Sequence, residues 1–469
     1  MSETIEQIAL IGCGQVGTSI LLAMAQQGKT VPVTVYDTNP ETEALLRRKF
    51  VEEGVESSFI TFLSSIQEAV DEADLTVLAT PISKFKDVAT EVGRHAKEGS
   101  IITDTGSAKQ VAIENIKAGL RECAAIYVPA HNGNGSQGAG PLSGSAGNIL
   151  GHNSPMFLIH EEGENFDLPE GAAEKRLYDF WNDLGVRTQF ITAEKHDQFF
   201  GQCSHFQHVI VFALMNLAEK NPEVLHYFRH AGTALRNMSR VALQAFEKGK
   251  RSSLVEMWEP ILVQNMGPVT KAYTRFLHHF SDFFHDVDQD HEGLCEKLKK
   301  ARAFRDRFDD PERREIIAGE IADLKEVPDF YARQAGDLTR AYNHVALSAM
   351  GTNLLLPVAI AYAQTMSAME IGADFIPYFA NPSFRDGTHP VTYDPDYILE
   401  LLLSSKREFL NVAADFSDGL KSLIQCIKDE KLACIDDRIV SAQMVRNDMP
   451  PPRKNGNVRF EFERKPFAA

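Results

Sequence analysis

Short apolar, β-branched runs recur through the first two-fifths of the chain, at residues 8–11, 31–36, 75–79, 100–103, 125–128 and 156–159, with a last short one at 186–191. Longer stretches with helical spacing separate them. Strand and helix alternating in this way predict an α/β unit over residues 1–192, a doubly wound parallel sheet with helices on both faces. From Ala193 onward the two-residue alternation nearly vanishes and helical patterns dominate, as at 208–218, 260–284 and 399–427. This half predicts an all-α region. The apolar run at 354–363 is too short to cross a bilayer and reads as a buried helix. Segment 309–333, opening with Asp309-Asp310-Pro311, is dense in charge and reads as a solvated linker, and 448–469 as an extended tail after Pro450-Pro451-Pro452.

At 469 residues the chain exceeds what one core holds, so several domains are expected. The formal net charge of −17 argues against nucleic acid or an anionic membrane surface as partner, since either needs a basic face. A small anionic substrate stays open, because a few local cations override a distant field. The six cysteines show no CxxC spacing and no zinc-ligand cluster, so free thiols in a reducing cytoplasm and no metal site are expected. A strand-like run so close to Met1 leaves little room for a targeting peptide.

Candidate chemistry begins directly after the first strand, at Gly12-Cys13-Gly14-Gln15-Val16-Gly17. Glycines at these spacings permit a tight turn, close approach of a pyrophosphate and tight helix packing, with the phosphates at a helix N-terminus. A second strand ends in Tyr36-Asp37, 20 residues beyond Gly17. A carboxylate there accepts from a ribose 2′-hydroxyl and repels a 2′-phosphate. No Arg or Lys occupies 38 or 39, so NAD is favoured over NADP on a Rossmann-type domain. Thr80 and Pro81, after the third main run, are placed at the same cofactor edge. A ligand-free glycine turn, or FAD, are the alternatives.

Four later segments carry the rest: Asp104-Thr105-Gly106-Ser107-Ala108-Lys109; the glycine-rich 129–141 with His131 and Gln137; Ser204-His205-Phe206-Gln207-His208; and Arg236-Asn237-Met238-Ser239-Arg240-Val241-Ala242, followed by Trp258 and Asn265, seven apart. In order and approximate spacing these resemble the prephenate/arogenate dehydrogenase family, over about residues 5–308. The chain departs from the family pattern at Asn132 (proline there), at Phe206-Gln207 (Leu-Pro) and at Asn237 (aspartate), and has about ten more residues between Ala242 and Trp258.

The resemblance implies an NAD-dependent oxidative decarboxylation in tyrosine biosynthesis, which needs positioning and a proton acceptor rather than a metal. It implies His131 as the catalytic histidine, Ser107 as the serine bonded to it or to the substrate hydroxyl, and His208 as a second histidine near the substrate. Arg240 would clamp a carboxylate, with Ser204, Gln137 and Arg385 as further substrate contacts. Each has a plainer alternative: a hydrogen-bonded structural histidine for His131 or His208, a surface cation for Arg240, a helix cap for Ser107. His205 is expected to be structural or supporting.

The helical half also reads as a repeat, residues 193–308 being followed after the linker by a degenerate copy at 334–447. Leu356 falls where His208 stands and His389 where Arg240 stands, at separations of 33 and 32; Tyr397 and Ser404, like Trp258 and Asn265, are 7 apart. Phe384-Arg385-Asp386 keeps the family pattern. Since family members pair through the helical domain, a second copy would make the chain a monomeric pseudo-dimer; a homo-oligomer is the alternative. Competing functions are a dehydrogenase of an amino-substituted prephenate and a non-catalytic nucleotide-binding homologue. A β-hydroxyacid-type dehydrogenase lacks its helix-borne lysine and asparagine here.

Overall fold

The computed structural model describes residues 4–133, 140–150, 155–163, 168–220, 238–242, 252–289, 291–306, 355–367 and 406–447. Its first part is the expected α/β unit. β1 (Ile8–Ile11), α1 (Gln15–Gln26), β2 (Val33–Tyr36), α2 (Thr42–Glu53), β3 (Ile60–Phe62), α3 (Ile66–Val70), β4 (Leu75–Leu78), α4 (Phe85–His95), β5 (Ile101–Asp104), α5 (Lys109–Gly119) and β6 (Ile126–Tyr127) follow one another. The six strands form one parallel sheet in the order β3-β2-β1-β4-β5-β6. β1 and β4 lie inside the sheet with all four residues buried, which is why they read as unbroken apolar runs. The order reverses between β1 and β4, so a crevice opens at their carboxyl ends, where ligands bind in such sheets.

Two expectations are corrected here. Residues 156–159 and 188–191 do not extend the parallel sheet. With β7 (Ala130–Asn132), β8 (Met156–Ile159) and β9 (Thr188–Ile191) make a separate three-stranded sheet in which β7 and β8 run antiparallel. Pro129, between β6 and β7, has no N–H to continue the first ladder, and its carbonyl instead accepts from Ile159 of the second sheet. α6 (Gly147–Leu150) precedes β8, and α7 (Ala173–Asp183) packs on β8 and β9. The cysteines, secondly, are not all free. Cys426 and Cys434 form a disulfide, leaving Cys13, Cys123, Cys203 and Cys295 as thiols. Their eight-residue separation hid the pair, because a helix–turn–helix brings their Cα atoms to 6.0 Å. Burial pushes the Cys13 thiol up to about 12, so the cysteine inside the glycine loop is inert.

The remaining described residues are helical. α8 (Ala193–Phe200) runs through a π-helical turn, Gly201–His205, into α9 (Phe206–Lys220). The single long helix expected at 260–284 is two helices, Ser253–Gln264 and Met266–Gln289, broken at Asn265. The side chain of Asn265 is turned inward and buried. His291–Asp306, Leu355–Ser367, Lys406–Lys428 and Leu432–Asn447 complete the described helices. The run from Val358 to Ala363 is buried, as expected. Among the described residues no helix is long and apolar enough to cross a membrane.

The C-terminal helices pack into the first helical set. Leu355–Ser367 lies against Met266–Gln289 and His291–Asp306, while α9 lies against Lys406–Lys428 and Leu432–Asn447. Phe416 joins the stacked Phe276 and Phe280 in one buried cluster. Polar bonds cross the same seam: the Asn216 amide donates to the Arg438 carbonyl, Ser252 to Gln443, and the Tyr362 hydroxyl to the Cys203 carbonyl in the π turn. The expected linker 309–333, the tail and most of 334–405 lie outside the described residues.

Candidate active site

The glycine loop joins β1 to α1. Gly12 has φ +93°, and a Cβ there would meet the Ala79 carbonyl oxygen at 2.7 Å; a Cβ on Gly17 would collide with the Gly12 carbonyl. Only glycine permits this close return of helix onto strand. Gly14 opens onto empty space, and as N-cap it brings no side chain to α1. The first-turn N–H groups at Gln15 and Val16 therefore start a helix end suited to an anion. Asp37, at the end of β2, accepts from Cys13 N–H (2.7 Å) and Asn39 N–H (2.8 Å), which holds its carboxylate beside the loop. Across the crevice Thr80 lies against Gly12, and its buried hydroxyl has no partner among the described residues; Pro81 follows it. An open cradle, an orphaned hydroxyl and a carboxylate held beside the glycine loop fit a dinucleotide.

The second half of the site is built on a buried ion pair. Lys109, at the start of α5, is wholly buried and donates to Asp104 and to the Ala130 carbonyl (2.6 Å). Asp104 also accepts from Tyr127 (2.7 Å) and Gly106 N–H (2.8 Å). Burial pulls the lysine below its ordinary range and Asp104 opposes it. The motif 104–109 thus ties β5, β6 and β7 together and fixes the backbone next to His131.

His131, on β7 and 7% exposed, holds its Nδ1 2.8 Å from Nε2 of His196; the Nδ1 of His196 is 2.9 Å from the Asp197 carboxylate. His196 stacks on Phe200, which meets His131 edge-on. Burial, then the charges of His196, Lys109 and His205, holds His131 well below its ordinary range, so it is neutral at pH 7. The Asp197 carboxylate also receives the Lys109 and Gln110 N–H groups, capping α5 from 87 to 88 residues away. That cap was one of the roles open to Ser107. Ser107 is half-buried, makes no cap, and no hydrogen bond joins it to His131.

Near the start of α9, His208 donates Nδ1–H to the carbonyl of Ser204 in the π turn (2.8 Å) and stacks on Trp258 with centroids 3.5 Å apart. Burial lowers it to about 4. His205, lowered by burial to about 3, accepts from the Asn265 amide (2.9 Å), which also donates to the Asp197 carbonyl (3.1 Å). Asn265 therefore laces the helical region to the His196–Asp197 pair. Arg240 lies on a short 3-10 turn, Ser239–Ala242, against α9, its side chain outside the described set; Gln137 and Arg385 also lie outside it. Sequence reasoning missed His196 and Asp197, whose only signal is a histidine–aspartate pair in the helix capped by Thr192. Among the described residues no cluster of side chains suits a metal ion.

A nucleotide crevice joined to a buried histidine cluster defines a dinucleotide-dependent oxidoreductase. The prephenate dehydrogenase nucleotide-binding domain matches residues 20–187, and the prephenate dehydrogenase dimerization domain matches residues 192–300. The chain belongs to the prephenate dehydrogenase family. It is 27% identical over 304 residues to cyclohexadienyl dehydrogenase of Zymomonas mobilis, covering 64% of this chain and 95% of that one. It is 24% identical over 282 residues to prephenate dehydrogenase of Lactococcus lactis, covering 59% and 70%. The fold is shared with prephenate dehydrogenase from A. aeolicus, solved with hydroxyphenyl propionate and NAD+, at a TM-score of 0.52 and 24% identity over 66% of this chain and all of that one.

Proposed function

We propose that the protein catalyses the NAD-dependent oxidative decarboxylation of prephenate or arogenate, giving 4-hydroxyphenylpyruvate or tyrosine. The observation that carries this is His131: buried, neutral, held through Nδ1, and with Nε2 unbonded to any described residue. When bound, NAD supplies the hydride acceptor. His131 takes the proton of the ring hydroxyl through Nε2 as the C4 hydrogen departs with its electron pair; carbon dioxide then leaves C1, the pair of the broken bond aromatises the ring onto the C4 oxygen, and that oxygen recovers the proton from His131 as the phenol. Ser107 orients the hydroxyl, and His208 and Ser204 line the substrate. Arg240 clamps a carboxylate, and Gln137 and Arg385 complete the substrate contacts. Asp37 selects NAD. Purified enzyme should form NADH with prephenate or arogenate and none without them. His131→Asn should lower kcat by about two or more orders of magnitude, and Arg240→Ala should chiefly raise KM. No NADH with either substrate would reject the reading, and NADH with an amino-substituted prephenate alone would redirect it.

The helices at 355–367 and 406–447 act as a built-in partner. Under the 208-to-356 and 258-to-397 correspondence, Leu355–Ser367 matches α9, Lys406–Lys428 matches Met266–Gln289, and Leu432–Asn447 matches His291–Asp306. The packing of α9 on Lys406–Lys428 and Leu432–Asn447 is then the exchanged counterpart of the packing of Leu355–Ser367 on Met266–Gln289 and His291–Asp306, as a two-fold axis requires. Sedimentation should give a monomer; a stable, active monomer truncated after residue 308 would overturn the idea. The four thiols favour a cytoplasmic setting. Recovery of Cys426–Cys434 fully bridged from rapidly alkylated cells would count against it.

A further inference from the structure

We propose that His196 and Asp197 are positioning residues that fix the tautomer of His131 and stabilise the cation it becomes, an inference resting on the reading of His131 as the base. The geometry settles where each proton sits. Asp197 has four partners converging on it: two helix N–H groups, at 2.6 and 2.8 Å, the His196 ring at 2.9 Å and the Gln110 amide at 3.4 Å. Burial alone would raise this carboxyl, but the bonds from His196 and from the Gln110 and Lys109 backbone outweigh it and hold it below the usual carboxylate range. An ionised carboxylate only accepts, so Nδ1 of His196 carries a hydrogen.

Burial keeps His196 itself neutral. Its Nε2 is therefore a bare lone pair, and the 2.8 Å contact can be made only if His131 donates Nδ1–H to it. A neutral His131 with its hydrogen on Nδ1 has its lone pair on Nε2, the nitrogen left for substrate. Asp197 thus dictates, through His196, which nitrogen of His131 is the base. When Nε2 takes the hydroxyl proton, the positive charge is shared toward His196 and faces a carboxylate one ring away. Phe200, stacked on His196 at 4.5 Å and edge-on to His131 at 4.5 Å, keeps the chain of rings dry and in register. Asn265, from the helical region, anchors the Asp197 carbonyl.

The test compares full-length His196→Gln, Asp197→Asn, His131→Asn and the double variant His131→Asn/His196→Gln, measuring kcat, both KM values and thermal unfolding. His196→Gln leaves the Asp197 cap of α5 in place, so it separates positioning from folding. We expect His196→Gln and Asp197→Asn each to lower kcat about 10- to 100-fold with KM values within about threefold, as for partners that orient a reacting histidine. The double variant should be no slower than His131→Asn alone, because the pair acts only through His131. Proton NMR should show an exchange-protected Nδ1–H of His131 that disappears in His196→Gln. Wild-type turnover in His196→Gln, or multiplied losses in the double variant, overturns the proposal. Wild-type turnover in His131→Asn overturns the base assignment itself.

Discussion

Burying several neutral histidines at one site makes the protein acid-labile in a defined window. His205 and His208 are lowered from 6.5 to about 3 and about 4 by desolvation, and His131 and His196 are shifted in the same direction. In the unfolded chain each ring takes up a proton as the pH falls through about 6.5, whereas in the native protein His208 does so only near 4 and His205 only near 3. The unfolded state then binds more protons, so stability is full above about pH 6.5 and declines as pH falls toward 4. At about 1.4 kcal/mol for each pH unit below 6.5, two histidines remove about 4 kcal/mol by pH 5. That is a large share of the ~5–15 kcal/mol that holds a domain together, and it corresponds to a Tm about 8–16 °C lower. Asp197 does not offset this, because its lowered carboxyl begins to cost stability only below about pH 3.9. Thermal and urea unfolding at pH 7.5, 6 and 5, with proton uptake on unfolding measured at pH 5.5, checks the argument. A Tm changing by less than about 3 °C across that range, or unfolding at pH 5.5 with uptake of fewer than about two protons, would refute it.

Asp37→Asn keeps an acceptor for the Cys13 N–H but removes the charge; we predict that NADP becomes usable and the NAD preference falls about tenfold or more, measured as the ratio of kcat/KM values. Lys109→Met strands a buried Asp104 with only Tyr127 and Gly106 as partners, and should cost about 3–5 kcal/mol by urea unfolding as well as activity, since the Ala130 carbonyl beside His131 loses its anchor. Tyr362→Phe removes the bond to the π turn and should lower stability by about 1 kcal/mol; an unchanged Tm would show that the C-terminal helices do not grip that turn in solution.

The nucleotide half was legible because its signals are local. A buried parallel strand must be apolar along its whole length, a glycine loop must follow it, and Asp37 must end the next strand; each is written within a few consecutive residues. Helical spacing likewise announced the second half and the buried run from Val358 to Ala363. What the sequence could not disclose depends on contacts between distant segments. Asp197 caps a helix that begins 88 residues earlier, His196 meets a histidine 65 residues earlier, and the bare adjacency of the two names neither partner. Cys426 finds Cys434 only because a turn folds one helix back on the next. Pro129 ends one sheet, and its neighbours start another whose partners, 156–159 and 188–191, are indistinguishable in pattern from strands of the first. Apolar periodicity records which face of an element is buried but not what it is buried against; that choice, and with it the chain of rings behind His131, belongs to the tertiary structure.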